Sequence, residues 1–232
     1  MSEKSPDLVI ANLKNIQAKI LVAQEKYFQT VGKNQSVELI AVSKRQSENR
    51  INAALAAGVR IFGENRVQEA QNRWAHQRAV HPDLTLHLIG PLQTNKVSDA
   101  VALFDVIQVV DRVKLAKALA NEMASQSRQL ECYIQVNTGE ELQKSGIAPK
   151  EADKFISYCR DDLKLNVTGL MCIPPLDEEP SMHFALLKKI ANRNEIVKLS
   201  MGMSDDFEEA IAFGASAVRV GSAVFGPREP QL

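Results

Sequence analysis

Apolar residues along this chain follow two alternating rhythms. The first segment carries Val9, Leu13, Ile16 and Ile20 on one helical face, with Pro6 suited to a first helical position and Ser5 placed to cap it. Behind it come short apolar runs of strand length at 37–43, 60–63, 85–89, 105–110, 130–137, 165–173, 196–200 and 217–220. Each is followed by a stretch with helical periodicity. The first of these, through 51–57, ends at Gly58, a residue suited to the left-handed turn that closes a helix. Strands that alternate with helices pair in parallel, because parallel neighbours need a crossover. Eight such units predict an α/β chain forming a single closed (β/α)8 TIM barrel with an additional N-terminal helix, one domain over residues 1–232. An open doubly wound sheet is the competing arrangement. It requires a glycine-rich GxGxxG after the first strand, where this chain reads Val42-Ser-Lys-Arg-Gln46.

Composition narrows the class of partner. Lys+Arg and Asp+Glu are both 28, and no basic run or stripe is present, which points away from nucleic acid. No apolar run reaches bilayer length, and Met1-Ser-Glu-Lys-Ser-Pro-Asp7 lacks the basic-then-apolar pattern of a signal, so no membrane is expected and the cytoplasm is. The three cysteines, Cys132, Cys159 and Cys172, have no CxxC spacing and cannot all pair, as in a reduced compartment. His76, His81, His87 and His183 lack metal-ligand spacing, so no metal is expected, and His87 falls within a strand. GxSxG, Walker and HExxH motifs are all missing.

In a parallel barrel, functional groups collect where strands run into loops. The first strand delivers Lys44 to such a position. It reads either as a surface charge at a strand end or as a nucleophilic amine, whose pKa burial or a cation such as Arg45 would lower. The second strand ends in Phe62-Gly-Glu-Asn65, where the asparagine can cap the next helix, and the third in Ile89-Gly-Pro-Leu-Gln-Thr-Asn-Lys96. Lys144 lies in the loop after the fifth strand, and Gly169-Leu-Met-Cys-Ile-Pro-Pro175 gives the sixth a rigid exit. The seventh runs into Ser200-Met-Gly-Met-Ser-Asp-Asp206, with Ser204 placed to cap a helix through Phe213 that Gly214 closes.

The last strand, Val218-Arg-Val-Gly-Ser222, is the most informative. Side chains alternate along a strand, so Arg219 and Gly221 share a face. If that face looks inward, Arg219 needs a partner, either a carboxylate or a ligand. Gly221 lets a ligand approach the backbone, at the place after strands seven and eight where such barrels bind phosphate. Ser204 and Ser222 add hydroxyl donors, whereas Asp205 and Asp206 oppose an anion unless they turn away.

Taken in order, Ala41-Val-Ser-Lys44, Phe62-Gly-Glu-Asn65, Ile89-Gly-Pro-Leu-Gln-Thr-Asn-Lys96, Ser200-Met-Gly-Met-Ser204 and Val218-Arg-Val-Gly221 resemble the pyridoxal phosphate homeostasis protein family across nearly the whole chain. That family is similar to the barrel (N-terminal) domain of alanine racemase standing alone. The resemblance implies pyridoxal 5′-phosphate held as a Schiff base on Lys44, with Arg219 facing the pyridine nitrogen. It further implies that Ser204, Gly221 and Ser222 hold the phosphate with Ser200 nearby, and that Asn65 lies beside the ring. Two positions depart from the family pattern. Gly221-Ser222 stands where Gly-Thr is common, which keeps the hydroxyl, and Arg66 stands where relatives often carry an aromatic residue or lysine.

By the same resemblance the chain buffers or delivers pyridoxal phosphate, in vitamin B6 and amino-acid homeostasis, to apo forms of enzymes that need it, without turnover of its own. A monomer is expected. The alternative is an amino-acid racemase. Racemization requires a proton donor or acceptor on each face of the substrate carbon. In alanine racemase the second base is a tyrosine from a C-terminal β domain, and the sequence given ends at Leu232, soon after the last strand. Tyr27 and Tyr158 fall on helical stretches and Tyr133 within a strand, so none stands at a strand end. An arginine at the ring nitrogen keeps its proton, which makes the ring a poorer electron sink. A Schiff-base aldolase, using a barrel lysine without any cofactor, is a third option.

Overall fold

The structure, a computed structural model, describes residues 4–227. Eight parallel strands close in sequence order, with β8 returning to pair with β1. They are β1 Glu38–Val42, β2 Ile61–Glu64, β3 Thr85–Leu88, β4 Val106–Val110, β5 Glu131–Gln135, β6 Asn166–Met171, β7 Lys198–Ser200 and β8 Ala217–Val220. Between and after them run α2 Glu48–Ala56, α3 Val67–Val80, α4 Val97–Leu103, α5 Val113–Ser125, α6 Ala152–Ser157, α7 Pro180–Arg193, α8 Phe207–Ala212 and the short α9 Ser222–Phe225. The predicted barrel is the fold observed, with the strands mostly trimmed by a residue or two at their ends.

The additional helix, α1 Lys4–Val31, buries Val9, Leu13, Ile16, Ile20 and Ala23 against α2, α8 and α9. Ser5 lies inside this helix rather than ahead of it, so it is not the cap that its sequence position predicts. Two further capping expectations fail. Helix α3 is preceded by Arg66, not Asn65, and α8 by Asp206, not Ser204. In the second case α8 starts at Phe207, two residues later than a Ser204 cap would place it, and the Asp206 carboxylate accepts the Met203 amide at 2.5 Å. The glycine stops hold, with Gly58 at φ +89° and Gly214 at φ +96°.

Register decides what faces inward. Paired residues of parallel neighbours look the same way, so Ile40↔Arg219, Val42↔Gly63 and Gly63↔His87 place all five of these residues in the barrel interior. Ala41, Phe62, Leu86, Leu88, Ile107 and Cys132 take the other face and join the strand–helix core. There Phe62 packs on Trp74 with ring centroids 4.5 Å apart. Inside the barrel Tyr133 lies over Gly169, where an added Cβ would come within 2.7 Å of the ring. Lys198 and Thr168 both donate to Glu131, at 2.6 and 2.8 Å.

The three cysteines are free and buried, and burial pushes each thiol up to about 12. Among the described residues no helix is long and apolar enough to cross a membrane, and no cluster of side chains could hold a metal ion.

Candidate functional site

The strand ends that carry the predicted residues meet at one mouth of the barrel. At β1 the chain turns sharply through Lys44 and Arg45, the latter at φ +57°. This turn is held from both sides. The Ser43 amide donates to the Gly63 carbonyl (3.1 Å) and its hydroxyl to the Glu64 carboxylate (2.7 Å). The same carboxylate oxygen accepts from Arg73 (2.6 Å) and the Trp74 indole (3.0 Å), and Arg73 also reaches the Gln46 carbonyl at 3.3 Å. A buried carboxylate under α3 therefore fixes the backbone on which Lys44 sits.

Lys44 is half-buried and lines a cavity of about 210 Å³ with Arg45, Asn65, Arg66 and Glu69. With α3 starting after Arg66, the Asn65 side chain borders this cavity rather than a helix end. A larger cavity of about 620 Å³ adjoins along Asn65 and Arg66 and extends to Gln93 and Lys96. Gly90 makes that geometry possible, since an added Cβ would lie 2.4 Å from the Asn65 carbonyl oxygen.

Across the mouth, Arg219 is buried on the inward face of β8. Its Nη1 donates to the carbonyl and the hydroxyl of Ser200, at 2.7 and 2.8 Å, and its Nη2 to the Cys172 carbonyl at 2.8 Å. Among the described residues no carboxylate forms an ion pair with it, so the salt-bridged alternative finds no partner. Burial pulls the guanidinium pKa below its ordinary value, with Cys172 and Asp206 acting in the opposite sense.

Ser200 is itself engaged further inward, donating its hydroxyl to Gln108 Oε1 at 2.6 Å. Gln108 Nε2 lies 2.8 Å from His87 Nδ1. Burial, reinforced by Lys198 and partly opposed by Glu131, lowers the His87 pKa to about 4, so the ring is neutral near pH 7. Sequence reasoning missed both residues. The signal was present in Thr85-Leu-His-Leu88 and Val106-Ile-Gln-Val109, where a polar residue sits at an alternating position of an otherwise apolar run.

The remaining predicted residues gather where β7 and β8 end. Ser222 opens α9 and donates its hydroxyl to Ser204 Oγ at 3.1 Å, and the Ala223 amide approaches the same oxygen at 3.4 Å. Gly202, at φ +91°, pins the loop that carries Ser204, because a Cβ there would lie 2.6 Å from Ala210. Gly221 backs onto Val42, two residues before Lys44, with 3.4 Å between its notional Cβ and the Val42 carbonyl oxygen. The Asp206 carboxylate, a concern for any anion here, is committed to the Met203 amide.

Thus Arg219 touches Ser200, Ser204 touches Ser222, Gly221 abuts the last residue of the strand that leads to Lys44, and Lys44 shares a cavity with Asn65. Lys144 borders the mouth in a loop that folds back on β5, paired with Glu141 (2.6 Å) and donating to the Pro174 carbonyl (3.2 Å). Hydroxyls and backbone beside a buried cation and an amine suit a ligand with an anionic group, a ring acceptor and an electrophilic carbon.

Residues 11–229 match the family described as alanine racemase, N-terminal domain. The chain is 37% identical over 228 residues to the pyridoxal phosphate homeostasis protein of Vibrio alginolyticus, covering 94% of this chain and 97% of that one. It is 35% identical over 227 residues to the protein of the same name from Escherichia coli K12, covering 94% and 96%. Among solved structures it is similar to PipY of Synechococcus elongatus with PLP bound, at 34% identity and a TM-score of 0.79, covering 94% of this chain and all of that one.

Proposed function

The chain belongs to the alanine racemase N-terminal domain family and, within it, to the pyridoxal phosphate homeostasis proteins, and on that premise we propose that it binds pyridoxal 5′-phosphate through Lys44 and buffers or delivers it without catalytic turnover. When bound, this group supplies an aldehyde that links reversibly to an amine. Lys44 provides that amine on a turn that Glu64 and Arg73 hold in place. Ser204, Ser222 and the backbone at Gly221 hold the phosphate. Asn65, which lines the cavity with Lys44, would flank the ring. A phosphate dianion so held gains charge-assisted hydrogen bonds, each on the order of 1.5–3 kcal/mol.

The observation that carries this reading is Arg219, a buried guanidinium whose protein acceptors are all neutral. Such a cation is costly unless a ligand atom completes its shell. A pyridine nitrogen is a suitable acceptor, and arginine donates a hydrogen bond to it without surrendering the proton. That favours holding the group over using its ring as an electron sink. The tyrosines add to this: Tyr27 lies on α1, Tyr133 is packed against Gly169 inside the barrel, and Tyr158 lies in the helical turn after α6. None offers a second base at the mouth. We place the protein in the cytoplasm as a monomer, with apo-enzymes as recipients. The deciding experiment is borohydride reduction of the yellow protein and peptide mapping. The pyridoxyl group is expected on Lys44, and its appearance chiefly on Lys144 or Lys96 would overturn the assignment.

A further inference from the structure

The geometry points to His87 and Gln108 as positioning residues for Arg219, acting through Ser200 along one hydrogen-bonded chain that crosses the barrel interior from β3 to β8. This rests on the placement of the cofactor ring against Arg219 proposed above. All four residues are buried, and the three links measure 2.8, 2.6 and 2.8 Å from His87 to Arg219.

The chain has one self-consistent polarity. Arg219 Nη1 is a donor and can be nothing else, so Ser200 Oγ accepts from it. The single Ser200 proton then goes to Gln108 Oε1. That turns the Gln108 amide nitrogen toward His87 Nδ1, which must accept, and the proton of the neutral imidazole resides on Nε2. A flipped Gln108 amide would set its NH2 against Ser200 and leave the hydroxyl proton without this acceptor. A proton on Nδ1 would set donor against donor. His87 in its neutral Nε2–H form is thus the acceptor that this orientation of Gln108 requires, and Gln108 Oε1 the acceptor that the Ser200 hydroxyl requires.

The consequence at the mouth is specific. Ser200 presents to Arg219 an oxygen lone pair in a fixed direction, and together with the Ser200 and Cys172 carbonyls this sets the plane of the guanidinium. Each of these partners is neutral, so the chain holds Arg219 without cancelling its charge. Such outer partners orient the group that meets the ligand. A chain that merely satisfied buried polar atoms would stabilise the fold while leaving the ring's electronic surroundings alone. Orientation and charge at Arg219 would change those surroundings.

The test uses the loaded wild-type protein and three variants, reading the absorption spectrum of the bound group and its affinity. Gln108→Glu places a carboxylate one hydroxyl away from Arg219 and is expected to shift the absorption maximum, weaken cofactor binding about tenfold, and keep the borohydride label on Lys44. His87→Leu removes the terminal acceptor and is expected to broaden or shift the band. His87→Asn keeps an acceptor oxygen near the Nδ1 position and is expected to restore the wild-type spectrum. Label on Lys44 with unchanged spectra and affinity in Gln108→Glu and His87→Leu overturns this inference alone. A wild-type protein that takes no label on Lys44 overturns the cofactor reading, and this inference with it. If Gln108→Glu does not fold, the His87→Leu and His87→Asn pair decides. Equal spectra in that pair count against the inference, and a shift in the leucine variant rescued by asparagine supports it.

Discussion

Arg219 donates twice to one residue, meeting the carbonyl of Ser200 at 2.7 Å and its hydroxyl at 2.8 Å from the same nitrogen. This double contact ties β8 to β7, and the Cys172 carbonyl extends the tie to the exit of β6. The guanidinium is thereby a structural cross-link and a charge with no ion pair among the described residues. The two roles separate under substitution, because backbone carbonyls need a donor whereas a ligand ring responds to charge.

Arg219→Glu replaces the donor by an acceptor that would pair with a protonated ring nitrogen. The bound group is expected to shift its absorption maximum while the label stays on Lys44. Stability should fall as well, by about 1–3 kcal/mol for each carbonyl left without its donor, read as a lower urea midpoint of a protein that still folds. An unchanged spectrum in a protein labelled on Lys44 would remove Arg219 from the ring's edge.

The phosphate should dominate affinity. Pyridoxal lacks the dianion that Ser204 and Ser222 are placed to hold, so it is expected to bind at least tenfold more weakly than its phosphate, a difference of about 1.4 kcal/mol or more. Ser222→Ala and Ser204→Ala should each weaken the phosphorylated form and leave pyridoxal binding nearly untouched. Equal losses for both ligands, by titration of the absorption change, would place the phosphate elsewhere.

Much of this architecture was legible in the alternation of apolar residues. Strand runs such as 85–89 and 217–220 recur at regular intervals, and the inward face of β8 follows from period two once Arg219 and Gly221 are seen to share it. Caps were less legible. Ser204 and Asn65 have the chemistry of caps, but the helices start later, after Asp206 and Arg66, neither of which makes a side-chain cap bond. The Glu64 clamp on Ser43, Arg73 and Trp74 could not be read at all, because it joins residues up to 31 positions apart whose directions only the closed barrel fixes. The His87–Gln108 link between β3 and β4 was hidden for the same reason.

Acid should destabilise the fold through His87. Its ordinary pKa of 6.5 drops to about 4 in the folded protein, with burial as the largest cause. Between those values the unfolded chain binds a proton that the folded one refuses, so stability rises with pH. The contribution is fully present above pH 6.5 and is lost as pH falls toward about 4. It amounts to something on the order of 3 kcal/mol. Urea unfolding measured from pH 7 down to pH 4 should show this slope, and His87→Asn, which has nothing to titrate, should flatten it. The same slope in the asparagine variant would assign the effect to other groups.

Loaded protein should give up pyridoxal phosphate to an apo-enzyme yet fail to racemize amino acids. Both expectations come from the same rim. The proposed link to Lys44 would be reversible, and its half-buried amine stands beside cavities that open outward along Asn65 and Arg66. An incoming amine could therefore reach a carbon held on Lys44. Racemization needs more, namely an acid or base on each face of the substrate and a ring able to accept electrons. Lys44 could serve one face after displacement. Tyr133 is packed against Gly169, Cys172 is buried with its thiol pushed up to about 12, and His87 is buried and tied to Gln108, so none of these is available to serve the other. Arg219, which keeps its proton, adds little carbanion stabilisation. Incubation with L- or D-alanine should shift the spectrum at most, with no opposite enantiomer over hours at high protein concentration. Mixing with an apo-enzyme should restore that enzyme's activity, and Lys44→Ala should deliver far less per mole of protein because it retains little cofactor. Sustained enantiomer formation that disappears in Lys44→Ala would replace the carrier by a racemase.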